Sequence, residues 1–285
     1  MKKPMTKDRR IAIEKLPQNH FVPRYLNDAG TALEPFTGPH IEKPVVYIQS
    51  AISGNLNPQV FARAKLRQLV QLSELAPDIF GIHSFAGPDA PGQIMNEKAE
   101  KESVPFILTN IRKAFLDGWT GVVINDCMAD PGLEEGRRML QELGATGKME
   151  MVAPAETSLK MTANKFGLFA IVGIADANAI FERLARSYGV SNRLVDIVLE
   201  EGLVPSALHD LTEVAESLFG KIVTAQKKGA NAVVFGCTTL GGVGDELMRL
   251  HEKELRGYPL IEPIPVTLLT AVGKVREMSN LNQLK

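Results

Sequence analysis

The sequence predicts an α/β protein of two pseudo-symmetric parallel-sheet domains, with the active site in the cleft between them. Three observations predict it. Short β-branched runs alternate with helical periods after residue 43, the pattern of parallel strands covered by helices. That pattern restarts near Gly167. One unit also occurs twice, a helical stretch closed by glycine and followed by an apolar strand that runs into cysteine. It reads Gly121-Val122-Val123-Ile124-Asn125-Asp126-Cys127 in one copy and Asn231-Ala232-Val233-Val234-Phe235-Gly236-Cys237 in the other. These are the only two cysteines in 285 residues.

Residues 1–43 carry prolines, charges and scattered aromatics without a period, and read as an extension that wraps the body or mediates assembly into a homo-oligomer. In the first domain, strands are expected at residues 45–49, 78–83, 121–125 and 149–152. A helix over 61–75 places Leu66, Leu69, Val70 and Leu72 near one face, and another ends at Gly118. In the second domain, strands are expected at 168–172, 195–199 and 232–235. Asp176 can cap a helix carrying Ile180, Phe181, Leu184 and Tyr188, closed by Gly189. Leu211, Val214, Leu218, Ile222 and Ala225 form the next stripe, ending at Gly229, and a helix over 246–255 follows. The tail, 264–278, is helical and has no strand of its own to cover, so it is expected to return to the first domain. The expected division is therefore 44–153 plus 258–285 for the first domain and 154–257 for the second.

Composition narrows the function. With 45% hydrophobic and 23% charged residues and a net charge of −1, the chain gives no reason to expect nucleic acid or an acidic membrane surface as partner. No apolar run approaches the ~18 residues of a membrane span. The basic N-terminus lacks a signal-peptide apolar core, because Glu14 and Lys15 interrupt it, so a cytoplasmic location is expected. There both cysteines stay reduced.

Strands covered on both faces bind ligands beyond their carboxyl ends, where Cys127 and Cys237 lie. Each cysteine precedes a glycine-bearing helix start, Asp130-Pro131-Gly132 in one case and Gly241-Gly242-Val243-Gly244 in the other. Asp130 is expected to cap the first of these helices. Backbone N–H groups and the helix dipole should then lower the thiol pKa. A strand-end cysteine can also be a small core hydrophobe, but two in matching repeat positions point to chemistry. No CxxC or histidine cluster suggests zinc, and the spacing of a redox disulfide is missing. Two thiols facing each other across a substrate suit moving a proton off one face of a carbon and onto the other.

Around them the candidate substrate-binding set is Gln49, Ser50, His83, Asn125, Met128, Thr238 and Thr239. Gln49 and Ser50 end the first strand, where they line the cleft mouth or serve the turn. His83 ends the second strand, as a substrate contact or as part of an internal network. Asn125 and Met128 flank Cys127, and Thr238 and Thr239 follow Cys237. Gly87-Pro88 and Pro91-Gly92 mark a long loop that could act as a lid.

The stretch Asn125-Asp126-Cys127-Met128-Ala129-Asp130-Pro131-Gly132-Leu133 resembles the first cysteine motif of hydantoin racemases, and Phe235-Gly236-Cys237-Thr238 resembles the second motif of the wider aspartate/glutamate/hydantoin racemase superfamily. The likeness covers about residues 45–278. It implies two α/β domains around a cleft, no metal, flavin or pyridoxal phosphate, and Cys127 and Cys237 as general acid and general base. The sequence departs from the pattern after the second cysteine. Hydantoin racemases usually continue Ala-Gly-Met and amino-acid racemases Thr-Glu, whereas Thr238-Thr239-Leu240 stands here. Relatives often carry threonines after the first strand of the second domain, where this chain has Val172-Gly173-Ile174-Ala175.

The expectation is a cofactor-independent racemase or epimerase acting on a small molecule, at a carbon next to a carbonyl, in a 5-substituted hydantoin or related cyclic amide. Backbone N–H groups with Ser50, Thr238 and Thr239 would hold the enolate oxygen. Rivals on the same scaffold are an amino-acid racemase, a maleate-type isomerase and a malonate-type decarboxylase. A solute-binding protein of two α/β lobes is the rival outside enzymes.

Overall fold

A computed structural model of the chain describes residues 23–36, 43–174 and 177–283. Two sheets organise it. In the first, β3 (Val45–Ser50), β4 (Phe80–Ser84), β5 (Gly121–Asp126) and β6 (Met149–Val152) run parallel in the order β4-β3-β5-β6. In the second, β7 (Phe169–Ile174), β8 (Leu194–Glu200), β9 (Ala232–Phe235) and β10 (Leu260–Ile261) run parallel in the order β8-β7-β9-β10. Counted within each lobe, both orders are 2-1-3-4. The lobes thus share one topology, and each cysteine follows its lobe's third strand. β3, β5, β7 and β9 are buried at every residue, so both of their faces are covered, which is why they read as apolar runs rather than as alternation.

The helices are α1 (Pro58–Leu75), α2 (Glu97–Leu116), α3 (Leu133–Glu142), α4 (Pro154–Phe166), α5 (Asn178–Ser187), α6 (Leu211–Lys227), α7 (Val243–Leu250), α8 (Glu252–Leu255) and α9 (Pro263–Gln283). The Asn57 side chain caps α1 by accepting from Val60 N at 3.2 Å, and Asn96 caps α2 from Ala99 N at 3.0 Å. The helix expected over 246–255 is two pieces, α7 and α8, parted at His251. The expected capping residue Asp176 lies outside the described residues.

α4 and α9 each follow the last strand of their lobe and then cross over. α4 packs on β7 and β9 of the second sheet, and α9 on β3 and β5 of the first. The helices touch where Thr157 Oγ1 meets Thr267 Oγ1 at 2.7 Å. Buried Leu268, Ala271, Val272 and Val275 of α9 close the core over Val46, Ile48, Val122 and Ile124. α1 also bridges the lobes: Asn57 Nδ2 donates to Ser206 O at 2.7 Å, and Arg63 donates to Leu208 O and His209 O.

Two parts differ from the expected division. Within 1–43, strands β1 (Arg24–Leu26) and β2 (Leu33–Pro35) form an antiparallel hairpin that pairs with β4, so this segment builds the edge of the first sheet. Its aromatics anchor it: Tyr25 and Phe36 pack on Phe80, and Phe36 meets Trp119 edge-on at 6.1 Å. Residues 1–22 and 37–42 lie outside the described set. Within 258–285, Leu260–Ile261 pair with β9 in the second sheet, and only α9 returns to the first.

Gly121 opens β5 at φ +136°, and a Cβ there would stand 2.0 Å from Val45 O. Both the backbone angle and the backbone contact require glycine. Gly121→Ala should therefore cost about 3 kcal/mol, read as a lowered denaturation midpoint. An unchanged midpoint would contradict this packing.

Candidate active site

In a 2-1-3-4 sheet the strand order reverses between strands 1 and 3, and ligands bind beyond that point. In the first lobe these strands are β3 and β5, whose register sets Ser50 beside Asp126. The chain then turns tightly: Cys127 N donates to Asn125 O at 2.8 Å and Asp130 N to Cys127 O at 3.0 Å. Asn125 Nδ2 donates to Pro131 O at 2.8 Å and holds the turn from below. In the second lobe, Gly236 N donates to Val172 O at 2.8 Å, and Cys237 leads into one 3-10 turn, Thr238–Leu240. Gly236 is a close-packing position, since a Cβ would meet the Phe181 ring at 3.0 Å.

Both sulfurs line one cavity of about 630 Å³, counted to its open mouth. Its walls come from both lobes. Ile52 and Phe61 stand on one side and Ile174, Ile180 and Phe181 on the other, with Ser50, Met128, Thr238 and Thr239 among the lining residues. Gln93 and Ile94, from the loop that begins at Gly87-Pro88, complete it.

Of the candidate set, the structure brings Cys127, Cys237, Ser50, Met128, Thr238 and Thr239 together. It takes Gln49, Asn125 and His83 off the wall. Successive side chains of a strand point to opposite faces, so Gln49 shares the face of Tyr47 and Asn125 that of Val123, away from Ser50 and Asp126. Gln49 is buried in bonds with the Tyr47 hydroxyl and with Ser84 Oγ. His83 is fully buried edge-on to Phe85, and neither ring nitrogen has a partner among the described residues. Burial first, then Lys65 and Arg24, holds its pKa well below the ordinary value, so the ring is neutral.

Asp130 does not cap the helix after Cys127. That helix, α3, starts at Leu133 behind Gly132 in the left-handed region. Asp130, itself at φ +47°, caps α4 instead: its carboxylate accepts from Ala155 N at 3.0 Å, Glu156 N at 2.8 Å and Tyr188 Oη at 2.6 Å. Burial pushes its pKa up to about 7 against those three bonds. The Asp-Pro-Gly-Leu segment thus clamps the Cys127 turn to α4 and to the end of α5.

The expected lowering of the thiol pKa values is also reversed. Burial raises both thiols above their ordinary value. α3 begins six residues beyond Cys127, and the N–H that reaches its sulfur is that of Ala129, at 3.5 Å. The two environments differ. Cys237 Sγ has the Thr239 hydroxyl at 2.8 Å, and that hydroxyl, the Thr239 N–H and Lys65 all favour its thiolate, with Asp126 acting against it. Cys127 is opposed by the charges of Cys237, Asp126 and Asp130.

Sequence reading missed Lys65. It stands on α1 and pairs with Asp126, which precedes Cys127, while Gln68 Nε2 donates to the other carboxylate oxygen at 3.3 Å. A signal existed. Lys65 falls four residues after Phe61 and four before Leu69, both buried, and a lysine on an apolar helix face must find a charge partner.

The architecture is shared with solved structures. Allantoin racemase from Klebsiella pneumoniae superposes with a TM-score of 0.64 at 18% identity, over 82% of this chain and 89% of that one. Allantoin racemase from Pseudomonas fluorescens gives 0.64 at 12% identity, over 81% and 91%. Glutamate racemase from Francisella tularensis, in complex with D-glutamate, gives 0.55 at 14%, over 83% and 82%. At these identities the likeness speaks for the fold. No curated protein matches by sequence. The family model described as Asp/Glu/Hydantoin racemase matches residues 64–271, a span that holds both cysteine-tipped strands. The chain belongs to the Asp/Glu/Hydantoin racemase family.

Proposed function

We propose that the protein is a cofactor-independent racemase or epimerase that uses Cys127 and Cys237 as its two proton carriers. One observation carries this reading: two free thiols, from equivalent strand ends of two like lobes, line one cavity. A thiolate removes the proton next to a carbonyl and the opposite thiol returns one to the other face. Roles exchange for the other enantiomer. Ser50 and Thr238 contact the ring, while the Thr239 hydroxyl serves the sulfur of Cys237.

The substrate we infer is a 5-monosubstituted hydantoin or a related cyclic amide. A free amino acid brings an ammonium and a carboxylate, and each needs a buried countercharge. Among the described residues lining the cavity, the one basic side chain is Lys65 and the one acidic side chain is Asp126, and they are spent on each other. A neutral amide needs only single hydrogen bonds. The allantoin racemases among the structural neighbours are consistent with this choice.

Loss of optical rotation and solvent-deuterium incorporation, followed on hydantoins and on free aspartate and glutamate, test the reading. Hydantoins should racemise with deuterium entering at the reacting carbon, with at least about 10²-fold preference over free amino acids, the scale of an unpaired buried charge. Racemisation of an amino acid alone would overturn the substrate. Binding without exchange would overturn the enzyme.

A further inference from the structure

We propose that Asp130 and Glu262 are matched positioning residues: each ties one cysteine loop to the opposite lobe, so that the two thiols are set against each other across the cavity. The inference rests on the racemase reading above and names what holds its two proton carriers in place.

The two carboxylates stand at corresponding joints. In each lobe the third strand leads to a cysteine, and the fourth strand leads into a helix that crosses to the other lobe, α4 from the first and α9 from the second. Asp130 belongs to the Cys127 turn and accepts from Ala155 N and Glu156 N in the first turn of α4. Glu262, which precedes α9, reaches back to the Cys237 loop and accepts from Gly242 N at 2.8 Å and Gly244 N at 3.3 Å. Each carboxylate also meets the helix that follows the first strand of the other lobe. Tyr188 Oη, at the end of α5, donates to Asp130 at 2.6 Å, and Arg67 of α1 stands 3.7 Å from Glu262. The Arg67 guanidinium lies on the loop as well, since a Cβ at Gly242 would be 2.8 Å from its Nη1.

Ending a helix does not explain the arrangement. α4 starts behind Ala153 and α7 behind Gly242, and neither carries a capping side chain. Ser, Thr, Asp or Asn at an N-cap satisfies such N–H groups locally. The fold instead brings a carboxylate from another segment, and both carboxylates are buried enough for burial to raise their pKa. Nor does the backbone ask for aspartate. At φ +47°, residue 130 would be less strained as glycine, so the side chain accounts for the choice. What a remote cap adds over a local one is a join between two segments, and here each join involves a cysteine loop.

The chemistry makes this placement decisive. A thiolate takes the proton and becomes a thiol, the C–H electron pair moves into the enolate, and the opposite thiol gives its proton to the other face and is left as thiolate. If one sulfur is displaced, the other still takes the proton, trades it for a solvent deuteron and returns that to the same face. Isotope then enters without inversion. A displacement of about 1 Å can lower a rate about 10²-fold. Loss of the Asp130 tie should therefore silence Cys127, and loss of the Glu262 tie Cys237. Charge alone predicts otherwise for Asp130: its charge opposes the Cys127 thiolate, so removing it would favour that thiolate.

Asp130→Asn and Glu262→Gln, each checked by thermal unfolding, are assayed on both enantiomers of a 5-monosubstituted hydantoin in deuterium oxide. Each should lower racemisation about 10²-fold. Asp130→Asn should keep deuterium wash-in on the enantiomer that Cys127→Ser still exchanges, and Glu262→Gln on the one that Cys237→Ser still exchanges. Tyr188→Phe and Arg67→Met leave both carboxylates in place and cut only the link to the other lobe. They should show the same split with a smaller loss. Their thiols are also compared by iodoacetamide alkylation, resolved for each cysteine by mass spectrometry, which needs no turnover. Tyr188→Phe should change the rate at Cys127 severalfold and leave Cys237 near wild type, and Arg67→Met the reverse.

A folded Asp130→Asn or Glu262→Gln enzyme that racemises near the wild-type rate overturns the proposal. So does exchange lost equally on both enantiomers, the mark of a merely structural role. Alkylation rates at Cys127 and Cys237 that keep their wild-type ratio in Tyr188→Phe and Arg67→Met overturn it too, without either carboxylate variant having to fold. Absence of hydantoin turnover by wild type overturns the racemase reading by itself, and the alkylation rates still decide whether the ties place the sulfurs.

Discussion

Cys127→Ser and Cys237→Ser should each lower racemisation by at least about 10³-fold, within the range that one positioned acid–base group supplies. A serine hydroxyl is far less acidic than a thiol, so it can neither be ionised as the base near neutral pH nor deliver its proton readily to the enolate. Serine and cysteine are nearly equal in size, so the cavity should keep its shape in both variants. Each variant keeps one thiol. Cys127→Ser should still wash deuterium into the enantiomer whose proton faces Cys237, without inverting it, and Cys237→Ser should do the same for the other enantiomer. Racemisation assays read the first effect, and proton exchange on each pure enantiomer reads the second. Two variants that racemise near the wild-type rate would make both thiols core residues. Exchange of the same enantiomer by both would mean that the sulfurs share one face of the substrate.

The second large effect is on pH. Because burial disfavours the charged form, both thiols lie above their ordinary value of 9.0. The reactive enzyme has one thiolate and one thiol, and near neutral pH the doubly protonated form dominates. The reactive fraction therefore grows tenfold per pH unit until the first ionisation is reached. We expect log kcat/KM to climb with a slope near 1 from pH 6 to 9, about 10³-fold in all, under conditions where unfolding controls stay flat. Thr239 and Lys65 favour ionisation at Cys237, so that sulfur should carry the first step. Thr239→Val should then push the rising limb to higher pH. A profile already flat from pH 6 would mean that a preformed thiolate exists, the lowered pKa that position before a helix suggested.

Much of this protein was legible in one dimension. A strand buried on both faces shows as a run of apolar residues whatever it packs against, so β3, β5, β6 and β9 are found within about two residues of where the sequence puts them. The repeat of cysteine-tipped strands is likewise a local pattern, and because equal topology puts equal strand ends on the same side, it pointed to the cavity that Cys127 and Cys237 both line. The edge hairpin at 24–35 was not legible. Strands of three residues are too short to show alternation, and its aromatics matter only against Phe80 and Trp119.

Tertiary structure decided the rest, for reasons of distance and burial. Lys65 and Asp126 lie 61 positions apart and meet only when α1 packs across the end of β5. Asp130 caps α4, 25 residues on, rather than its own helix. Adjacent strand residues differ in fate because one faces the cavity and the next faces the core, which separates Ser50 from Gln49 and Asp126 from Asn125. The thiols are raised rather than lowered because desolvation belongs to the closed pair of lobes, while a helix dipole acts only within its own first turn. Pattern along the chain determined which strands carry sulfur; only packing determined what electric surroundings that sulfur has.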